Sequence, residues 1–322
     1  MKTISNTPSK WRCNPLNDYL FYKVMGEKGD EVQLLGFLNA VLGRTGEDRF
    51  TSVEILENKT FTPQTIGDKS VTFDIRAVLQ DKTRVNVEVQ LRNQHNMDKR
   101  SLYYWGKEYV TSIKEGEDYL ELPDVIAINI VDFDYLPSRN FHTCFHLRED
   151  RERNIILTNS LEIHFINMVK YHKGLRSGSK AMLNELLFAD PLIRWLAWFD
   201  EDSPPELIAE VKKMDSAIVA AADRLGELLA NEDVVRFYDM RFKAMCDWTS
   251  AQNYATKTGY AEGHAAGLAD GHAEGLAAGL AEGMEAEKLE IARKMKVAGL
   301  PSAEIAVFTG LSPEAINKLS SE

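Results

Sequence analysis

The sequence predicts an α/β fold: a mixed sheet flanked by helices, followed by a helical region and a Gly/Ala-rich C-terminal helix. Three observations carry this reading. Strict two-residue alternation runs through VTFDIRAVLQ (71–80) and RVNVEVQL (84–91), as in strands with one buried face. VIAINIVDF (125–133) is apolar on both faces, as expected of a strand covered from two sides. Apolar residues before and after these segments recur at three- and four-residue steps, the spacing of helices that pack on a sheet.

From residue 17 to 42 the apolar positions Leu20, Phe21, Val24, Met25, Val32, Leu34, Leu35, Phe37, Leu38 and Val41 predict two amphipathic helices broken at GEKGD. Residues 50–56 alternate and predict a strand. In 71–80, Val71, Phe73, Ile75, Ala77 and Leu79 share one face, with Thr72, Asp74, Arg76 and Gln80 on the other. In 84–91 the polar face carries Arg84, Asn86, Glu88 and Gln90. A turn at Asp81-Lys82-Thr83 would join these strands as a hairpin, setting Asp74 opposite Gln90 and Arg76 opposite Glu88. Residues 97–114 predict a helix, 161–169 a further strand, and 180–253 a helical region with a break at SPPE (203–206).

Glycine then recurs at 259, 263, 267, 271, 275, 279 and 283, a four-residue repeat filled with Ala, Leu and acidic residues. Each glycine costs a helix about 1 kcal/mol relative to Ala, so an isolated helix here is marginal. Small residues every fourth position let two helices approach closely, which predicts self-association and a homo-oligomer; a flexible linker is the alternative. His264 and His272 follow the repeat, and their regularity needs no metal. Residues 288–320 predict three short helices resembling a helix-turn-helix, with Gly310 at the turn and Lys318 the only base on the last helix. That composition fits a packing module better than a groove-reading one. The resulting division is 1–175 sheet core, 176–255 helical extension, 256–287 Gly repeat and 288–322 helical tail, within a length of 322 residues that admits two or more domains.

Composition narrows the function. The first twenty residues lack the apolar stretch of a secretory signal and no run is long enough for a membrane span, so a cytoplasmic protein without membrane attachment is expected. Cys13, Cys144 and Cys246 lie far apart and form no CxxC pair, which predicts reduced thiols. The net charge of −11 requires any nucleic-acid contact to come from a local basic surface. Residues 92–114 supply one, with five bases against two acids. Arg100, Tyr104 and Lys107 share a helix face there and, with Arg76 on the hairpin, are candidate phosphate contacts.

The chemistry is expected on the hairpin. Both strands turn their acids to the same polar face, so Asp74 and Glu88 lie on neighbouring strands within reach of one hard cation. Mg²⁺ accepts one or two carboxylates together with waters and a substrate phosphate. Gln90 shares that face and would orient a water or a phosphate; an amide cannot act as a base. Solvation of an amphipathic hairpin is the plain alternative.

GDKSVTFDIRAVLQDKTRVNVEVQ, the following KRSLYYWGKEY and ELPDVIAINIVDF resemble the PD-(D/E)XK nucleases, and within them the transposase-like, recombination-promoting nucleases. The resemblance runs from about residue 19 to the Gly repeat. It implies a restriction-endonuclease-like sheet, DNA as substrate, Mg²⁺ or Mn²⁺ as cofactor, and phosphodiester hydrolysis, with Asp74 and Glu88 binding metal. Asp18, on the first helix, is by the same analogy a candidate further acid, against an N-cap-like role. Gln90 stands where a Lys is usual, and no Pro precedes Asp74; Gln at that position is familiar in the transposase-like branch. A catalytically weak or inactive nuclease fold, serving as a DNA-binding or oligomeric assembly module, is the competing function.

Overall fold

The computed structural model describes residues 13–56, 62, 74–175 and 180–319, with backbone alone at 175 and 180–184. It forms two compact units, 1–246 and 247–322. Residues 71–73, the predicted start of the second strand, lie outside the described part.

The first unit opens with α1 (Asp18–Met25) and α2 (Glu31–Val41). Asn17 caps α1, its side chain accepting the Leu20 amide at 3.2 Å. Six strands follow: β1 (Val53–Ile55), β2 (Ile75–Leu79), β3 (Arg84–Gln90), β4 (Val125–Val131), β5 (His142–His146) and β6 (Leu161–Asn167). Helix α3 (Met97–Val110) lies between β3 and β4 in sequence. After β6 come α4 (Met168–Leu175), α5 (Lys180–Ala189), α6 (Pro191–Phe199), α7 (Pro205–Met214), α8 (Ser216–Leu229) and α9 (Glu232–Val297).

The strands form one mixed sheet in the order β1-β2-β3-β4-β6-β5. The first three are antiparallel, β3, β4 and β6 run parallel, and β5 returns antiparallel along β6. The parallel centre explains why β4 is apolar throughout: it is buried on both faces along its whole length. Strand β5 was not predicted, because HTCFH carries polar side chains and is half-exposed at the sheet edge. The strand predicted over 161–169 ends at Asn167, where the chain turns directly into α4.

Alternation assigns the two faces. Ile75, Ala77, Val85, Val87, Ile126, Ile128 and Ile166 point into the main core, built with α1, α2 and the helices that follow the sheet. Aromatic side chains dominate that core: Phe37 stands edge-on to Trp195 and Phe199. Gly36 is required where α2 meets α8, since a Cβ there would lie 2.3 Å from the Ala217 methyl. The opposite face packs Ala127, Val131, Ile163 and Phe165 against Met97 and Trp105 of α3. This covering helix creates the candidate site.

In the second unit α9 carries the whole Gly repeat as helix, with every residue from 259 to 287 exposed. Its last turns pack with α10 (Ser302–Thr309) and α11 (Pro313–Lys318) around Ala292, Ile305, Leu311 and Ile316. Two of the three short helices predicted over 288–320 are thus separate, and the first is the end of α9. Gly310 closes α10 in the left-handed conformation, φ +70°. Lys296 Nζ donates to the carbonyls of Ile316, Asn317 and Leu319, satisfying the end of α11. Among the described residues no helix is long and apolar enough to cross a membrane.

Candidate active site

The β2–β3 hairpin turns through Gln80, Asp81 and Lys82. Lys82 takes a left-handed φ of +71°, and the Leu79 amide donates to the Thr83 carbonyl at 2.8 Å. The predicted turn lay one residue further along, so the pairing shifts by two. Ile75 is opposite Val87 and Arg76 opposite Asn86; one further step of the same register sets Asp74 across from Glu88 rather than Gln90. A shift of two preserves parity, so the polar side chains stay on one face as predicted.

That face is not left to solvent. Both faces of β3 are buried from Val85 to Val89, and Glu88 is 4% exposed. Helix α3 runs over it and inserts polar groups at one-turn spacing. Ser101 donates to the Asn129 side-chain oxygen at 2.8 Å, and Trp105 Nε1 donates to the carbonyls of Val125 and Ser160 at 3.0 and 3.1 Å. Glu108 reaches back to the sheet, accepting from Arg76 Nε at 2.7 Å and Arg84 Nη1 at 2.8 Å. Near the other end of α3, Arg100 forms an ion pair with Glu88. Burial of two charges is tolerated only where such partners exist.

The Arg100 guanidinium also lies over the Tyr104 ring, 5.6 Å from its centre. Burial first, then the carboxylates of Glu88 and Asp74, push the Tyr104 phenol above its usual range, while Arg100 pulls it down. Asp74, Glu88, Arg100 and Tyr104 therefore share one electrostatic neighbourhood. Gln90, the last residue of β3, donates from Nε2 to the Arg92 carbonyl at 3.2 Å, and its own carbonyl accepts the Asp132 amide at 3.2 Å. Burial raises the Asp132 carboxyl, with His172 opposing the shift and Asp200 adding to it.

The remaining candidates separate. Lys107 is exposed on α3, away from the covered face. Arg76, read as a phosphate contact, is held by Glu108 and serves the α3–sheet interface. Asp18 is not the cap of α1: Asn17 is, and the Asp18 carboxylate is gripped by Arg241 of α9, with Nη2 at 2.6 Å from Oδ2 and Nε at 3.1 Å from both oxygens. Residues 92–114 give less free positive charge than the sequence count suggested, because Arg100 is taken up by Glu88.

Asp74, just before β2, and Glu88 on β3 offer two hard oxygen donors, a donor type that suits Mg²⁺ with waters completing its shell. A different donor set was missed. Among the described residues, the set of three or more metal-competent side chains within 4.8 Å of one another is Cys144, His146 and Glu162, on β5 and β6. Its sequence signal is alternation, with HTCFH and LEIH each placing donors two residues apart, and it is invisible to a search for paired cysteines.

Residues 15–255 match the family described as PD-(D/E)XK nuclease family transposase. Neither the curated proteins nor the solved structures gave a match. The matched segment spans the whole sheet, α3 with its buried ion pairs, and the helices that complete the main core. With a six-stranded mixed sheet flanked by helices and most of its length inside that match, the chain belongs to the PD-(D/E)XK nuclease family transposases.

Proposed function

We propose that the chain is a divalent-metal-dependent DNA endonuclease with a transposase or recombination-promoting role, and that Asp74 and Glu88 hold its ion. PD-(D/E)XK nucleases generally use divalent metals, and the two carboxylates favour Mg²⁺, with Mn²⁺ as the close substitute. When bound, such an ion polarises a phosphodiester and makes water a nucleophile near neutral pH. The observation that carries the reading is the buried Glu88 carboxylate, fixed from α3 by Arg100 and set across the hairpin from Asp74.

The chain's own residues divide the work. Arg100 fixes the Glu88 carboxylate and brings to this face the positive charge that Gln90, an uncharged amide, does not supply. Tyr104 holds the guanidinium in place from below. Gln90 orients water or phosphate at the strand end, and Lys107 attracts the DNA backbone from the exposed side of α3. In a plasmid assay with Mg²⁺, Asp74→Ala lowers nicking at least ~100-fold, the scale of losing a group that stabilises transition-state charge. Equal nicking by both proteins would end this assignment.

The exposed Gly repeat favours a further, compatible role as an oligomeric assembly element. A surface of small residues every fourth position along a helix is suited to close packing against a second copy. Light scattering on the full chain is expected to give a multiple of 36.4 kDa, and on a chain lacking 256–322 the monomer mass. Salt-sensitive DNA binding without metal-dependent cleavage would instead favour the reading as a non-catalytic DNA-binding module.

A further inference from the structure

The geometry points to a second, softer metal site: Cys144, His146 and Glu162 form a zinc-class site that clips the edge strand β5 to β6, on the sheet face opposite the Asp74–Glu88 pair. The pairing brings the donors together. Cys144 lies across from His164 and His146 across from Glu162, so all four side chains stand on one face of an antiparallel ribbon. Cys144 Sγ is 3.9 Å from His146 Nε2 and 3.8 Å from Glu162 Oε1, and His146 Nε2 is 3.7 Å from Glu162 Oε2.

Zinc bonds of about 2.3 Å to sulfur and 2.0–2.1 Å to nitrogen or oxygen imply ligand–ligand edges of roughly 3.3–3.6 Å in a tetrahedron. The sulfur and imidazole contacts reach different Glu162 oxygens, and one donor atom from each residue lies within 4.8 Å of the other two, so a modest side-chain adjustment closes the set on one ion. Thiolate, imidazole and carboxylate together select a borderline ion such as Zn²⁺ over Mg²⁺, whose preference is for oxygen alone.

An outer layer is also built. His164 Nε2 lies 2.6 Å from Glu162 Oε1 and 3.6 Å from Cys144 Sγ, and His164 Nδ1 lies 2.8 Å from His142 Nε2. His164 is 3% exposed, so the Glu162 carboxylate is oriented by a buried histidine that is itself held by a neighbour. Hydrogen-bonded carboxylates of this kind are the usual support of metal ligands. Three protein ligands leave the fourth position to water or to a group from a partner. Binding replaces the thiol proton with the metal and releases that proton to solvent.

The position gives the site a purpose. Strand β5 is an edge, joined to β6 through residues 147–160, and its outward ladder is the kind of surface that pairs with other chains. A metal clip holds this edge in register.

The test uses untagged full-length protein, freed of metal with a chelator and titrated with Co²⁺ or Zn²⁺. One equivalent of Co²⁺ is expected to give a thiolate charge-transfer band and tetrahedral visible bands, and Zn²⁺ to displace it and raise the melting midpoint. Cys144→Ser abolishes the charge-transfer band, and the near-isosteric Glu162→Gln weakens zinc retention at least ~10-fold, the lower end of what a ligand's own support contributes. Both melt with wild type in chelator, separating metal binding from folding. Asp74→Ala retains the Co²⁺ spectrum. Absence of the band in wild type or its survival in Cys144→Ser would overturn the proposal, and so would its loss in Asp74→Ala, which would make the spectrum depend on a residue outside the three ligands.

Discussion

Two glutamates buried to nearly the same degree, Glu88 at 4% and Glu108 at 5% exposure, bridge the same helix and sheet in opposite senses. Glu108 projects from α3 and accepts one arginine from β2 and another from β3. Glu88 projects from β3, accepts Arg100 from α3, and stands across the hairpin from a second carboxylate, Asp74. At Glu108 two positive charges meet one negative charge. At Glu88 one carboxylate takes up the guanidinium of Arg100, and a second acid, Asp74, stands one register step away across the hairpin. Burial and ion pairing are common to both and mark neither as functional; the second acid across the hairpin is what the proposed ion site adds at Glu88.

Replacing Glu108 breaks this comparison hardest. Glu108→Gln removes the charge shared by Arg76 and Arg84, and because both arginines retain partial contact with water the expected loss is about 2–3 kcal/mol, below the full penalty of a stranded buried charge. Urea unfolding measures it. Cleavage per folded molecule should persist, whereas unchanged stability would show the Glu108 network to be energetically idle.

Asp30 sharpens the comparison, since it is an acid whose burial outweighs its arginine. Burial raises its carboxyl to about 6 although Arg224 Nε lies 3.3 Å away. The folded state then holds a proton that the unfolded chain releases near pH 4. Asp30 accordingly contributes stability below about pH 4 that is lost as pH rises through about 6. The loss is on the order of 3 kcal/mol on the scale of one pKa unit per 1.4 kcal/mol. The difference in unfolding free energy between wild type and Asp30→Asn, followed from pH 4 to 7, should slope accordingly; a flat difference would mean Arg224 compensates Asp30 fully.

The sequence makes the hairpin legible because parity survives an error in the turn. Lys82 enters the left-handed region, the loop starts one residue earlier than expected, and still Asp74 and Glu88 face the same way. The central strand is equally legible, since only a strand covered on both sides reads as VIAINIV. What alternation cannot reveal is the cover. Arg100 and Tyr104 were recognisable as a shared helix face, but not that this face lies on Glu88, and Glu108 was legible only as a negative charge within a basic stretch. Arg241, more than two hundred residues from Asp18, shows the same limit: long-range ion pairs leave no periodic trace. Strand β5 escaped because its alternate positions His142, Cys144 and His146 are His and Cys rather than aliphatic residues.

The central claim is that Asp74 and Glu88 together hold a divalent ion. Mn²⁺ titration followed by electron paramagnetic resonance addresses it without requiring turnover, on metal-free wild type, Asp74→Ala, Glu88→Gln and Glu108→Gln. One Mn²⁺ site is expected in wild type and in Glu108→Gln, and in neither of the other two. Retention of that site in both Asp74→Ala and Glu88→Gln would contradict the account.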